Sequence, residues 1–381
     1  MGLKKKVKIF VGMSGGVDSS VSAALLANIK NARDFKKVTG REAPSHFDGV
    51  EVFGVFIKVW SPDWMPCTWP VERRDAMRVA ACLKIPLITL DLEKEYKRDV
   101  VDYMIREYRD GRVPNPDVMC NKTIKFGQFL KWAIKNGADY VATGHYAQTV
   151  CDGQNKICRL LSGVDKEKDQ SYFLWTLGQK ELVRTIFPVG GMEKSDVRKI
   201  AHKFSLPNAA KKDSQGVCFL GKINIKDFLK HYIKEKPGNV LNDHGEIIGK
   251  HEGATLYTIG ERHGFEITKN NPDGSPFYVV GKDTNKNVLV VSNRKSGGEF
   301  SKKELKISST NWNQGIEPNL KQNFCARIRY RQELQDCKIK KVKLGLYNVV
   351  FKDKQIAITP GQSVVVYTKN NDECLGGGII V

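Results

Sequence analysis

The sequence predicts an α/β protein in which a doubly wound parallel sheet is followed by a small β-rich connector and a C-terminal β-barrel. In the first half, short apolar β-branched runs alternate with helically spaced segments, which is the pattern of a parallel sheet covered on both faces. After about residue 220, Gly, Asn, Asp and Pro recur between short β-rich runs. With 381 residues the chain exceeds what one core organises, and these changes of character divide it into 1–221, 222–293 and 294–381.

The elements follow in order. Residues 7–13 form an apolar strand that ends in a Gly/Ser turn, and 21–29 form an Ala/Leu-rich helix. Residues 50–60 and 85–90 read as buried strands, 72–83, 93–108 and 125–136 as helices, and 140–143 as a further strand. Ligands of such sheets sit at the carboxyl ends of the strands, so the loops after Met13, Ile57 and Thr143 form one candidate site. In the connector, 255–259, 277–280 and 288–291 are β-rich; beyond it, 324–330, 338–344, 347–351 and 363–367 suggest a barrel or sandwich. The segment 31–49 is long for a helix-to-strand connection and is expected to form a surface loop.

Composition narrows the function. Sixty-two Lys and Arg against 42 Asp and Glu give a formal charge of +20, which favours a polyanionic partner. No apolar run is long enough for a membrane span or a signal-peptide core, so a cytoplasmic protein is expected, with no membrane partner and as a monomer. The nine cysteines are scattered and contain no C-x-x-C pair; free thiols are expected, reactive only where context sets one apart.

Ser14-Gly15-Gly16-Val17-Asp18-Ser19-Ser20 follows the first strand and opens the first helix. The glycines admit close approach of an anion, the hydroxyls donate, and the helix N-terminus adds positive potential. No Gly-Lys-Ser/Thr ending is present, so this is not a Walker loop. Asp18 suits the Mg2+ that accompanies nucleotide phosphates. The loop resembles that of the PP-loop ATP pyrophosphatases, which implies ATP as co-substrate and leaves the acceptor open among amides, amidines and RNA.

Two cysteines stand in distinctive settings. Cys120 follows Asn115-Pro116-Asp117-Val118-Met119 and precedes Asn121-Lys122; Cys218 follows Lys211-Lys212-Asp213-Ser214-Gln215-Gly216-Val217. Neighbouring cations would favour a thiolate. Either cysteine alone would pass for a buried structural thiol.

Together with Ala142-Thr143-Gly144-His145-Tyr146, Lys168-Asp169-Gln170-Ser171-Tyr172-Phe173, Arg329-Tyr330-Arg331-Gln332, Thr359-Pro360-Gly361-Gln362 and Cys374-Leu375-Gly376-Gly377-Gly378, these segments resemble the tRNA-uridine 2-sulfurtransferase (2-thiouridylase) family over nearly the whole chain. The resemblance implies adenylation of the C2 oxygen of a wobble uridine and sulfur delivery from a persulfide on Cys218. Cys120 then closes a transient disulfide with Cys218, and Asp117 serves as acid or base. It further implies nucleotide contacts at Gly12, Met13, Ser14, Gly15, Gly16, Val17, Asp18, Ser19, Ile57 and Gly144. The implied tRNA contacts are Asn115, Pro116, Asp117, His145, Lys168, Asp169, Gln170, Arg329, Tyr330 and Gln362. A cysteine desulfurase or relay protein is implied as persulfide donor. Arg327, Arg329 and Arg331 alternate, so on a regular strand their guanidinium groups would share one face and track phosphates; family contacts from both Arg329 and Tyr330 require instead a bend or strand end. Ile57 and Val59 depart from the Met and Asn usual in the family; an apolar swap preserves adenine packing, whereas a polar role of the Asn is lost.

Overall fold

Ile9, Phe10 and Val11 of β1 (Lys5–Gly12) are all buried, as a central strand covered on both faces requires. Their side chains divide by alternation. Ile9 and Val11 join one cluster with Val21 and Ala24 of α1 (Val17–Ala27), while Phe10 joins another with Phe129, Leu130 and Ala133. The computed structural model describes residues 5–152, 157–212, 224–234, 236–269, 274–293, 301–369 and 373–381.

β1 pairs in parallel with β2 (Phe47–Lys58) and β4 (Tyr140–Ala142); β3 (Leu87–Asp91) flanks β2, and β7 (Thr185–Ile186) flanks β4. The resulting order, β3-β2-β1-β4-β7, reverses direction between β1 and β4, which places the ligand crevice of a doubly wound sheet at that point. α1 packs beside the helix Trp69–Leu83 and the helix Lys194–Lys203, through Val21, Ala76, Val79, Val197 and Ala201.

The segment 31–49 is not a surface loop. Asn31 caps a helix, α2 (Ala32–Thr39), by accepting from the Asp34 amide, and Gly40 ends it in the left-handed conformation. Phe35 is fully buried against Phe47 and Tyr140. Arg41 turns inward and donates to the carbonyls of Val183 (3.1 Å), Leu182 (2.6 Å) and Thr185 (2.7 Å). Arg41→Met removes the Arg41 donor from all three carbonyls, leaving Thr185 O with only Thr149 Oγ1 at 3.3 Å, and is expected to cost about 2–4 kcal/mol, read as a lowered urea midpoint at unchanged slope.

The helix expected over 93–108 is present, and the one expected over 125–136 starts earlier, ahead of the first thiol. Glu93–Tyr96, Lys97–Val101 and Asp102–Arg109 run on continuously with a π-type turn in the middle. Pro116–Met119 leads into a π-helical stretch, Cys120–Phe129, and then into Leu130–Lys135. Gly127 makes the wide turn possible, because a Cβ there would meet the Lys122 carbonyl at 2.9 Å.

The connector is a five-stranded sheet of β8 (Gly238–Leu241), β9 (Ile247–His251), β10 (Phe265–Ile267), β11 (Tyr278–Asp283) and β12 (Val288–Ser292), ordered β10-β9-β8-β12-β11. Its core is continuous with the helices of the first half: Val240, Tyr257 and Val279 pack with Tyr96, Val100 and Met104. The run 255–259 is not a strand: it begins within a 3-10 turn at Ala254–Leu256.

The C-terminal strands are β13 (Lys302–Trp312), β14 (Phe324–Arg327), β15 (Gln335–Lys343), β16 (Leu346–Gln355), β17 (Ser363–Thr368) and β18 (Glu373–Ile380). β13 pairs with both β16 and β18, which closes these six into a barrel. A hairpin from the first half, β5 (Ala147–Cys151) and β6 (Cys158–Ser162), adds to the barrel through β18. Cys151 and Cys158 face each other across that hairpin as a disulfide, so this pair departs from the expected free thiols. Tyr172 and Trp175 also fasten the halves, bonding the Ser363 carbonyl and hydroxyl at 3.0 Å each. Among the described residues no helix is long and apolar enough to cross a membrane.

Candidate active site

β1, β2 and β4 deliver their loops to one edge of the sheet. The turn after β1 starts with the Met13 amide bound to Val55 O (2.8 Å), and Gly15 adopts φ +73°. Ser14 and Ser19 approach through their hydroxyls (3.3 Å), and Ser19 and Ser20 donate to Gly16 O. Gly16 occupies the N-cap of α1 without a side-chain cap, so the first amides of the helix are left to a ligand rather than to a side chain. Gly12 pairs with Val55 on β2, Val17 is buried behind the turn, and Ile57, half-buried at the end of β2, packs with Leu90.

Gly144 meets this loop from β4. A Cβ at Gly144 would lie 2.6 Å from Ser19 N and 2.7 Å from Asp18 C, so only glycine allows the two loops to touch. Asp18 Oδ1 accepts from Tyr146 Oη (2.8 Å) and from Lys194 Nζ (2.6 Å), and Asp18 is the carboxylate of the loop itself. No cluster of three His, Cys, Asp or Glu that could hold a metal occurs among the described residues. Mg2+ commonly binds through one or two carboxylates plus phosphates and water, and a single Asp18 oxygen set fits that mode.

His145 is buried beside Gly144. Its Nδ1 lies 2.8 Å from Thr143 Oγ1 and its Nε2 3.4 Å from Lys125 Nζ. Since an ammonium only donates, Nε2 accepts and Nδ1 carries the proton to Thr143. Burial, and then the Lys125 charge, hold its pKa well below 6.5. The unfolded chain therefore takes up a proton near pH 6.5 that the folded protein refuses, so stability falls as pH drops below that value. On this account the protein is less stable at pH 5.5 than at pH 7.5. His145→Gln should remove that part of the pH dependence, measured by urea unfolding at the two pH values.

The first thiol opens the π-helical stretch, directly after the turn Pro116–Met119. Asn115 Oδ1 accepts from the Asp117 and Val118 amides, and Pro116 occupies the first helical position. Cys120 is 2% exposed, in a cluster with Tyr96, Val100, Met104 and Ile124. Lys122 is exposed where Cys120 is buried, and residues two apart on a helix do not face each other. Asn115, Met119 and Lys122 instead line a small cavity with Tyr103, Thr176 and Ser309. Cys218 lies outside the described residues. Lys211, expected to act on that thiol, donates to Asp75 Oδ2 (2.8 Å) and Gly15 O (3.2 Å).

Several residues expected at the tRNA surface turn out to hold backbone. Gln170 bonds Tyr146 through both its amide and its side chain, at 2.8 and 3.0 Å. Gln362 Nε2 donates to Val113 O (2.9 Å), which braces the chain entering Asn115. Asp169 is buried, accepting from Gly163 N, Ser171 N and Oγ, and Arg327. Lys168 is half-buried, with its amide on Asp165.

The three arginines do not share a face. β14 ends at Arg327, which is buried on Asp169 and Tyr367; the following residues turn, with Arg331 at φ +64°. Gln332 closes the turn by accepting from the Ile328 amide at 2.9 Å. Arg329 emerges at the surface, bonded to Ile259 O and Ala357 O, and Tyr330 lies tilted against Phe173 with ring centroids 4.5 Å apart. The strand end required for both Arg329 and Tyr330 to reach outward is thus present. Sequence reading missed Lys194, Asn208 and Arg41, whose roles depend on partners more than 100 positions away.

Comparison with known proteins extends these observations to the full chain. A family described as "tRNA methyl transferase HUP domain" matches residues 7–41 and 43–222, its "PRC-barrel domain" companion matches 226–293, and an "Aminomethyltransferase beta-barrel domain" matches 302–380. A protein named tRNA-specific 2-thiouridylase MnmA from Streptococcus agalactiae is 44% identical over 98% of this chain and 95% of its own length. Proteins of the same name from Enterococcus faecalis and Geobacillus thermodenitrificans are each 42% identical over the same shares. The domain descriptions speak of methyl transfer, whereas the relatives that align along nearly the entire chain are thiouridylases. End-to-end identity of that order outweighs a domain label, and the chain belongs to the tRNA-specific 2-thiouridylase family.

Proposed function

We propose that this chain is a tRNA-uridine 2-sulfurtransferase that converts the wobble uridine of tRNA to 2-thiouridine. The reading is carried by the end-to-end likeness to thiouridylases, joined to a nucleotide loop that Gly144 closes and a buried cysteine at the end of the Asn115-capped turn. ATP binds over Gly12 to Ser19, with Ile57 against the adenine and Gly144 at the loop. The uridine C2 oxygen attacks the α-phosphate and pyrophosphate leaves. Mg2+, held by Asp18 with the phosphates, would neutralise phosphate charge.

The terminal sulfur of a Cys218 persulfide then attacks C2, and AMP leaves with the former C2 oxygen. Cys120 thiolate attacks Sγ of Cys218; the sulfur–sulfur bond breaks and its electron pair stays on the sulfur now attached to C2. The product is 2-thiouridine and a Cys120–Cys218 disulfide, which a reductant reopens. Asp117 moves the protons. A cysteine desulfurase or a relay protein supplies the persulfide.

Asn115, Pro116 and Asp117 contact the target base. Lys168, Arg329 and Tyr330 contact the tRNA directly, while His145, Asp169, Gln170 and Gln362 position the backbone that does. The formal charge of +20 suits the polyanionic substrate, in the cytoplasm and as a monomer. Unmodified tRNA incubated with ATP, Mg2+ and a persulfide source should gain sulfur in place of oxygen at one uridine, by mass spectrometry. Adenylated tRNA that never gains sulfur from a competent donor would refute the reading.

A further inference from the structure

The turn that follows β14 holds a residue to which the proposed chemistry gives no role. Arg331 stands at φ +64°, a left-handed conformation that favours glycine or asparagine. Closure of the turn does not depend on its side chain. Gln332 does that, accepting from the Ile328 amide (2.9 Å) and donating to Gln355 Oε1 (2.9 Å). Among the described residues no carboxylate pairs with Arg331. Its guanidinium lies over the Tyr330 ring, 5.3 Å from the centroid, and the residue is exposed.

Behind the guanidinium, aromatic rings continue inward. Half-buried Tyr330 is tilted against half-buried Phe173 at 4.5 Å, and Phe173 meets the fully buried Tyr172 edge-on at 5.4 Å. The series is anchored to the turn of the first thiol. Asn121, the neighbour of Cys120, donates from Nδ2 to Phe173 O (3.1 Å), and Val118 belongs to the core cluster against which Phe173 and Tyr330 pack.

Presenting C2 of a wobble uridine to ATP and to a thiol takes that base out of its stack, so the bases beside it lose a neighbour. Unpaired RNA bases are accepted on aromatic rings and on guanidinium planes. We propose that Arg331, backed by Tyr330 and Phe173, is a stacking platform for a nucleobase next to the wobble uridine. The proposal rests on the sulfurtransferase reading. It gives Arg331 a base to hold, where the phosphate track expected from the sequence would have given it a phosphate.

The test compares binding of the full chain to unmodified tRNA and to the same tRNA lacking the base on the 5′ or the 3′ side of the wobble uridine. Wild type should lose about fivefold or more in affinity with one of the two abasic tRNAs, the scale of one stacked base. Arg331→Gly should bind intact tRNA more weakly by a similar factor and no longer sense that abasic site. It should melt no lower than wild type, since glycine suits a positive φ. Arg331→Lys keeps the charge without the plane and should bind like Arg331→Gly. An Arg331→Lys protein with the affinity and the abasic response of wild type would mean that the charge alone matters, and would overturn the proposal. So would an Arg331→Gly protein that still senses the abasic site, or a wild type that senses neither. An Arg331→Gly protein that melts well below wild type would make Arg331 a support of the turn and overturn it as well. A wild type that binds none of the three tRNAs would refute the sulfurtransferase reading, and this proposal with it.

Discussion

Cys120→Ser should abolish formation of 2-thiouridine, by on the order of 10^3-fold or more, while leaving ATP-dependent adenylation of the tRNA in place. A hydroxyl can fill the volume of the buried thiol but cannot attack a sulfur–sulfur bond at neutral pH. Cys218→Ser should give the same end point by a different route, with no sulfur carried at all. The two are separable by mass spectrometry of the protein: the Cys120 variant retains a persulfide on Cys218, and the Cys218 variant does not. Loss of adenylation along with thiolation in the Cys120 variant would show that the residue supports the fold and not the transfer. Burial of Cys120 adds a kinetic expectation. In the free enzyme it should react with iodoacetamide far more slowly than Cys67 and Cys82, which are exposed, and tRNA with ATP should raise its rate. The π-helical stretch that starts at Cys120 offers the means, since a widened turn can tighten to release a side chain without unwinding the helix.

The parts legible in the sequence are those whose signals are local. Alternating apolar runs revealed the parallel sheet, and the Ser14 to Ser20 turn revealed its nucleotide loop, because strand, glycines and helix start lie within a few residues. The parts that escaped are settled by distant partners. Nothing near Ala147 says that its hairpin will pair with β18, since the partner strand lies in the last residues of the chain. Arg327 alternates with Arg329 and Arg331 in sequence, yet Asp169 and Tyr367 draw it inward and end the strand. Lys122 and Lys211 illustrate the same limit for electrostatics. Adjacency along the chain suggested cations beside thiols; in the fold Lys122 is exposed where Cys120 is buried, and Lys211 bonds Asp75 and Gly15 O.

Gly144→Ala is expected to weaken nucleotide binding sharply. The added carbon would stand 2.6 Å from Ser19 N and 2.7 Å from Asp18 C, both backbone atoms of the first turn of α1, so no side chain can swing aside. Either β4 withdraws or α1 tilts, and both moves open the contact where the sheet order reverses. Overpacking of this kind costs about 1–3 kcal/mol, which corresponds to roughly 5- to 150-fold in ATP affinity if the strain falls on the loop. Gly137→Ala provides a glycine outside the site: nothing lies within 4 Å of a Cβ there, and only the left-handed backbone is strained. Isothermal titration with the α,β-methylene analogue of ATP, alongside thermal melting, separates the two. A Gly144→Ala protein with weakened nucleotide binding and a melting temperature close to that of Gly137→Ala locates the strain in the loop. Unchanged affinity would mean that the β4 and α1 loops can part without consequence, and that the close approach of Gly144 is packing and not nucleotide recognition.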